Sequence, residues 1–172
     1  VRQELHRCIV DGLAVMLSGS GAACSKVVHQ YIRDTNTTGA SAVVGTDIAS
    51  SASLVALANG VAGHADDFDD TQLAQTPDRI YGLLTHPTVP ALASALAVGQ
   101  EVGANGKDFL TAFCAGFEVE CKIAEAMNPD HYIKGFHTTA TIGVFASAMA
   151  AAKLYGLSLE QTRFALGIAA SK

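Results

Sequence analysis

The residues best suited to chemistry lie in one stretch, HADDFDDTQLAQTPDRIYGLLTHPTVP, which runs from His64 to Pro90. It contains four carboxylates within five positions, at Asp66, Asp67, Asp69 and Asp70, and apolar sequence lies on both sides of it. Carboxylates this close repel one another unless solvent, a metal ion or a cationic partner compensates. A stretch that costs stability inside an apolar chain is where function is expected.

A helix that continues through this acidic cluster would place His64, Asp67 and Thr71 on one face. Residues three and four apart lie on the same side of a helix, whereas Asp69 would point elsewhere. An imidazole, a carboxylate and a hydroxyl on one face could supply a general base and two hydrogen-bonding groups. The alternative is a solvated acidic helix end with a half-buried histidine, because most charge clusters are solvated.

Two further histidines each precede a predicted helix. His86 stands before a proline-marked helix start, and His137 stands before a run of hydroxyl residues that begins at Thr138. Helix N-termini carry free N–H groups and partial positive charge, so they bind carboxylates and phosphates. The pair could therefore frame an anion site, although each histidine could instead simply cap its helix.

The acidic cluster also fits a metal-dependent interpretation. Asp66, Asp67 and Asp70 form the DDxxD pattern of all-α prenyl-diphosphate enzymes, which bind diphosphate through magnesium. No second acidic motif of that kind follows in the chain. The histidines of this region lack a standard zinc-ligand spacing, so the sequence predicts no metal site.

Composition narrows the class of protein. The chain has 172 residues, of which 49% are hydrophobic and 16% charged, and its net charge is −5. The acidic balance argues against a nucleic-acid partner. The apolar run 138–152 is shorter than the roughly 20 residues of a membrane span. Four cysteines without a CxxC pair favour free thiols in a reducing compartment, so we expect a cytoplasmic protein.

Apolar residues recur at helical spacing along most of the chain, which predicts an all-α, multi-helix bundle-like domain. A capping box at Ser158 and Gln161 marks the start of the last helix. The segment 72–85 is a long connection, and 42–44 is the only plausible strand, too short for a sheet. The predicted helices cover 3–18, 24–33, 50–71, 88–102, 107–127, 138–155 and the region after Ser158.

Several segments occur in an order that resembles the MmgE/PrpD family. They are ALANGVAGHADDFDDT, THPTVPALASALAVGQEVG, AFCAGFEVECKIAEAM, GFHTTATIGVFASAMAAAKLYGLS and QTRFALGIAAS. The family includes 2-methylcitrate dehydratase, cis-aconitate decarboxylase and iminodisuccinate epimerase. The resemblance covers nearly the whole chain and implies a helical domain, incomplete at both ends here, followed in longer members by an α/β domain. It also implies a homodimer that works without a cofactor.

The resemblance extends to individual residues. Asp67 and Thr71 match the DxxxT of the family's DFDDT motif, His86 matches its HP motif, and His137 matches its GFH or GWH motif. The connection between Thr71 and His86 is longer here than in the decarboxylase branch. The predicted catalytic residues are Asp67, His137 and His86, and the predicted substrate-binding residues are Thr71, His64 and Thr138.

We therefore expect a cofactor-independent lyase or isomerase that acts on small di- or tricarboxylic acids. The resemblance implies proton transfer at a carbon next to a carboxylate, and the residues present suit that chemistry. Two alternatives remain open at this point. One is a magnesium-dependent prenyl-diphosphate enzyme, and the other is a non-catalytic helical dimerisation module.

Overall fold

The computed structural model describes residues 1–72 and 84–171, and within these ranges it contains eight helices, which confirms the predicted all-α class. Most of the predicted connection 72–85 lies outside the described residues, as does Lys172. The helices are α1 (Arg2–Gly19), α2 (Ala23–Thr35), α3 (Ala52–His64), α4 (Thr88–Val102), α5 (Gly106–Met127), α6 (Asp130–Ile133), α7 (Thr138–Leu154) and α8 (Leu159–Ala169).

Helix α4 is the centre of the domain, and it is buried along most of its length. It carries no charge between Thr88 and Gly99, so every face can be covered by protein. Helices α3, α5 and α7 pack around it. One core cluster contains Met16, Leu92 and Phe113, and a second contains Ile32, Val55 and Val98. The interior is rich in alanine, which lets the helix axes approach closely.

The predicted strand at 42–44 is replaced by a minimal hairpin. Strands β1 (Ser41–Ala42) and β2 (Ala49–Ser50) pair antiparallel. The Ser41 hydroxyl donates to the Ala97 carbonyl at 2.7 Å, which fixes the hairpin to α4. The hairpin is therefore an attachment to the helical core, and the all-α class holds.

Helix α3 ends at His64, and the prediction that it runs to about Thr71 is wrong. The chain turns immediately afterwards, and Asp67 adopts a left-handed backbone conformation with φ 55°. A helix C-terminus carries partial negative charge, so further aspartates there are unfavourable. Aspartate also competes for backbone hydrogen bonds and is a poor helix former. Asp67 and Thr71 consequently share no helix face.

The start of α7 agrees with the sequence analysis. His137 is the N-cap, and its side chain accepts the Ala140 N–H. The predicted capping box at Ser158 and Gln161 is also present at the start of α8. Helix α6 is a single turn that lies between the predicted helices 107–127 and 138–155.

None of the described helices has, by itself, the length and apolarity needed to cross a membrane. Helices α1 and α2 reach those limits only when taken together, and they meet at 83°.

The close contact between α5 and α7 generates a stability prediction. A Cβ at Gly116 would lie 2.7 Å from the Ala146 carbonyl oxygen. We expect Gly116→Ala to destabilise the fold by about 1–3 kcal/mol, because overpacking forces backbone shifts. Chemical denaturation of the purified protein measures the change.

Gly167→Ala is the matched control, because Gly167 lies inside α8 and an added Cβ would meet nothing within 4 Å. This change should leave stability equal or raise it by about 0.5–1 kcal/mol through the better helix former. A Gly116→Ala protein as stable as the wild type would contradict the packing described for α5 and α7.

Candidate active site

The loop after α3 folds back and buries Asp69 against two imidazoles. The Asp69 side chain is 1% exposed, and its Oδ1 and Oδ2 lie 2.8 Å and 3.1 Å from His64 Nδ1. His86 Nδ1 lies 3.5 Å from Asp69 Oδ1. Because an ionised carboxylate only accepts hydrogen bonds, His64 must donate from Nδ1, which leaves its Nε2 unprotonated in the neutral ring.

Asp67 approaches the same pair of rings from the solvent side. Its side chain is 76% exposed, and its Oδ1 lies 3.9 Å from His64 Nδ1 and 3.7 Å from His86 Nε2. One ligand atom from each of His64, Asp67, Asp69 and His86 can be chosen so that all four lie within 4.8 Å of one another. We call these four residues the His/Asp cluster.

His86 is held in this cluster by its backbone. The Gln72 N–H donates to the Thr85 carbonyl at 2.9 Å, so the two ends of the predicted connection meet. The His86 N–H donates to Thr139 Oγ1 at 3.0 Å, which ties His86 to the first turn of α7. His86 therefore lies beside Asp67, and residues 73–83, which connect the two ends, lie outside the described residues.

Asp70 has a structural task one residue further on. Its carboxylate accepts the Thr88 N–H at 3.1 Å and the Thr88 hydroxyl at 2.8 Å, and so caps α4. Burial raises the pKa of Asp70, while the hydrogen bonds from Thr88 oppose that shift. Asp66 turns away and accepts a hydrogen bond from Ser18 at 3.4 Å. The three aspartates of the DDxxD pattern therefore have three different surroundings, and the alternative of a magnesium-dependent prenyl-diphosphate enzyme is not supported.

His137, the N-cap of α7, completes a group of three histidines with His64 and His86. Its ring centroid lies 6.1 Å from that of His64, and His64 lies 4.8 Å from His86. The Ala140 N–H donates to His137 Nδ1 at 3.3 Å, so the proton of the neutral His137 ring is on Nε2. His64 and His137 therefore hold opposite tautomers, one with a free Nε2 lone pair and the other with an Nε2–H donor.

A cavity of about 810 Å³ opens beside these histidines. Its polar end contains His64, Asp69, His137 and Thr139, and no Lys or Arg is found among the described lining residues. The other walls are mostly apolar and come from α3, α4 and α7, through Ala56, Leu57, Gly60, Val61, Val89, Pro90, Ala93, Gly143 and Val144. Such a cavity, largely apolar with a few convergent polar groups, is typical of small-molecule sites.

Two of the predicted substrate-binding residues, Thr71 and Thr138, are not among the described residues that line the cavity. Thr71 is exposed and makes no side-chain hydrogen bond within the described part of the chain. Thr138 is fully buried and pairs with the Asn128 side chain, so its neighbour Thr139 lines the cavity in its place. Asp69, which was expected to point away, is the buried carboxylate of the cluster. Its five-residue separation from His64 follows no helical spacing, so the sequence carried no signal for this pair.

Glu120 is a second buried carboxyl that sequence reasoning missed. It is 0% exposed, accepts a hydrogen bond from Thr85 Oγ1, and its Oε2 has no partner among the described residues. Thr85 Oγ1 lies 3.5 Å from Thr139 Oγ1. Burial raises the pKa of Glu120 to about 8, against the opposing effect of Thr85. A neutral Glu120 therefore supports the threonines that hold the His86 backbone.

Comparison with known proteins gives a family and several relatives of the chain. A family model described as the MmgE/PrpD N-terminal domain matches residues 1–172. The cis-aconitate decarboxylase of Mus musculus is 36% identical over 171 residues, which cover 96% of this chain and 33% of that protein. The cis-aconitate decarboxylase of Homo sapiens is 35% identical over 173 residues, which cover 99% of this chain and 35% of that protein.

A cis-aconitate decarboxylase-like protein of Aspergillus oryzae is 31% identical over 174 residues, which cover 100% of this chain and 36% of that protein. The chain thus spans about a third of the length of each of these relatives.

The raised pKa of Glu120 predicts a pH-dependent stability. The unfolded glutamate releases its proton near its usual 4.5, whereas the folded one keeps it until about pH 8. Glu120 therefore does not lower the free energy of unfolding below pH 4.5. Between pH 4.5 and 8 its buried carboxyl makes the free energy of unfolding fall as the pH rises. At pH 7 the cost is roughly 3 kcal/mol at 1.36 kcal/mol per pH unit.

Glu120→Gln keeps the shape of the neutral acid and removes this titration. We expect the variant to be more stable than the wild type at pH 7–8 and nearly equal to it at pH 4.5. Urea unfolding at both pH values measures the difference. A variant that loses stability with pH as steeply as the wild type would show that Glu120 is not the buried acid responsible.

Proposed function

This chain belongs to the MmgE/PrpD family, and from that premise we propose that the protein is a lyase that acts on small di- or tricarboxylic acids. The reaction moves a proton on a carbon next to a carboxylate, as in a dehydratase or decarboxylase. One observation carries the proposal: a histidine oriented by a buried aspartate lies at the polar end of a cavity, beside a second histidine with the complementary tautomer.

His64 is the proton acceptor in this proposal. Asp69 accepts the Nδ1–H at 2.8 Å, which orients the ring and stabilises the imidazolium that forms when Nε2 takes a proton. This is the role of the aspartate in hydrolase triads. His64 lines the cavity, so its ring can reach a substrate held there. The proposal thus gives the role of base to His64, which the sequence analysis assigned to substrate binding, and gives Asp69 the positioning role.

His137 and the start of α7 bind substrate carboxylates. The Nε2–H of His137 is a donor, and the N-terminus of α7 adds partial positive charge at the same place. His86, 16% exposed and next to Asp67, supplies a further imidazole at the cluster. The His137 donor and the N-terminus of α7 stabilise the enolate-like charge that develops when the carbon next to a carboxylate loses its proton or its carbon dioxide.

Dehydration and decarboxylation can use the same pair of histidines. In dehydration a base removes a proton from carbon, and the electron pair forms the double bond. The hydroxyl group takes a proton from an acid and leaves as water. In decarboxylation the carbon–carbon bond breaks, carbon dioxide leaves, and an acid delivers a proton to the carbon that kept the electron pair. We propose cis-aconitate and 2-methylcitrate as the first substrates to test, because relatives are cis-aconitate decarboxylases.

The central activity prediction concerns Asp69. Asp69→Asn removes the negative charge beside His64 and can present an amide N–H to Nδ1, which favours the tautomer that carries its proton on Nε2. We expect kcat/KM to fall about 100- to 10,000-fold, the range for a positioned acid or base. His137→Gln should cause a loss of similar size. Turnover of each acid is followed by chromatography of the products, in buffer containing EDTA because we propose that the reaction needs no metal.

Asp66→Asn is the matched control, because it removes one negative charge from the same loop at a residue whose one side-chain hydrogen bond within the described residues comes from exposed Ser18. It should keep turnover within a few-fold of the wild type. Equal activity of Asp69→Asn and Asp66→Asn would refute the role of Asp69. A folded wild-type protein that binds these acids without turnover would favour the non-catalytic module, and activity abolished by EDTA would favour the magnesium enzyme.

We also propose that the protein works as a homodimer, in line with the low charge of the chain. Exposed apolar side chains support this: on α8 they include Leu159, Phe164 and Ile168, each more than 60% exposed. Sedimentation velocity at micromolar concentration should show twice the monomer mass, and Phe164→Glu should weaken the association if α8 contributes. A compact monomer of wild-type protein under these conditions would rule the homodimer out.

A further inference from the structure

We propose that the His/Asp cluster is a binding site for one divalent cation of the zinc type, and that the cation blocks the proton-transfer pair when it binds. The sequence analysis predicted no metal site, because His64 and His86 stand 22 positions apart and fit no standard ligand spacing. The fold brings them together from the end of α3 and the loop that leads into α4.

The distances in the cluster suit a four-coordinate ion. With bonds of about 2.0–2.2 Å to imidazole nitrogen and carboxylate oxygen, tetrahedral zinc holds its ligand atoms about 3.3–3.5 Å apart. His64 Nδ1 lies 2.8 Å from Asp69 Oδ1 and 3.9 Å from Asp67 Oδ1. His86 lies 3.5 Å from Asp69 Oδ1 through Nδ1, or 3.7 Å from Asp67 Oδ1 through Nε2, and it can offer only one of these nitrogens to a single ion. With one atom taken from each residue the separations reach up to 4.8 Å, so the side chains must move inward to bring all four atoms into coordination.

Three residues of the His/Asp cluster are held in place by their contacts, and the fourth, Asp67, is exposed to solvent. Asp69 is 1% exposed and fixed by two imidazoles, and the backbone of His86 is held by Thr139. The Asp67 side chain is 76% exposed, and the positive φ of its residue directs it back toward the rings. Three ligands are thus preorganised, and Asp67 can close the fourth position from solvent.

The ligand set selects the class of ion. Two imidazoles and two carboxylates suit zinc and its first-row neighbours, whereas magnesium and calcium prefer oxygen ligands. An ion in the cluster would occupy His64 Nδ1 and Asp69, which are the atoms that orient the base. Inhibition by zinc follows from the proposed function, but the binding itself does not depend on it.

The test is calorimetric titration of the full-length, metal-free protein with zinc chloride. We expect one zinc per chain and an affinity at least about tenfold weaker for Asp67→Asn, since the loss of even an indirect partner of a metal ligand costs 10- to 100-fold. Asn tolerates the positive φ of residue 67, so this variant should fold, and circular dichroism verifies it. Asp66→Asn, with the same charge change one residue away, should bind zinc like the wild type.

The Cys24→Ser variant tests whether zinc binds through a thiolate instead of the His/Asp cluster, because Cys24 is exposed and lines the same cavity. Zinc binding should survive Cys24→Ser, and magnesium chloride alone should give no saturable heat at these concentrations. The inference is overturned if the wild type binds no zinc, if Asp67→Asn binds as tightly as Asp66→Asn, or if Cys24→Ser abolishes binding. A protein that binds zinc through Asp67 but turns over neither acid would leave this inference standing while refuting the proposed function.

Discussion

The burial of the Asp69 carboxylate is the constraint on which the site depends. An ionised carboxylate out of contact with water is costly unless hydrogen-bond donors surround it. His64 supplies a donor at 2.8 Å and His86 lies at 3.5 Å, so both rings must lie where the carboxylate is. To reach that place the chain has to leave the helical path directly after His64, and the turn at Asp67 does this with a positive φ.

Small residues allow the elements that carry the site to meet. A Cβ at Gly63, next to His64, would lie 2.8 Å from Val89 on α4, and a Cβ at Gly143 on α7 would lie 2.9 Å from Pro90. Helices α3 and α7 can therefore press against the first turn of α4 from both sides. Because α4 itself is capped by Asp70, the acidic loop and the central helix stabilise each other.

The features that arise from local sequence were predictable, and those that arise from tertiary contacts were not. Helix α4 occupies the predicted 88–102, and the cap at His137 follows from the apolar run behind it. The sequence analysis placed the end of α3 too late. The spacing of the acidic residues fits a helix, and spacing alone does not distinguish a helix from a turn. The pairing of Asp69 with His64 and the burial of Glu120 inside an apparently amphipathic helix both depend on surroundings that no spacing encodes.

A crystal structure of the full-length protein with an unreactive tricarboxylate such as tricarballylate tests the central claim most directly. The account predicts one carboxylate within hydrogen-bonding distance of His137 at the start of α7, with the central carbon facing His64 Nε2 and Asp69 still bound to Nδ1. A ligand bound elsewhere, or one that leaves His64 and His137 without contact, would contradict it.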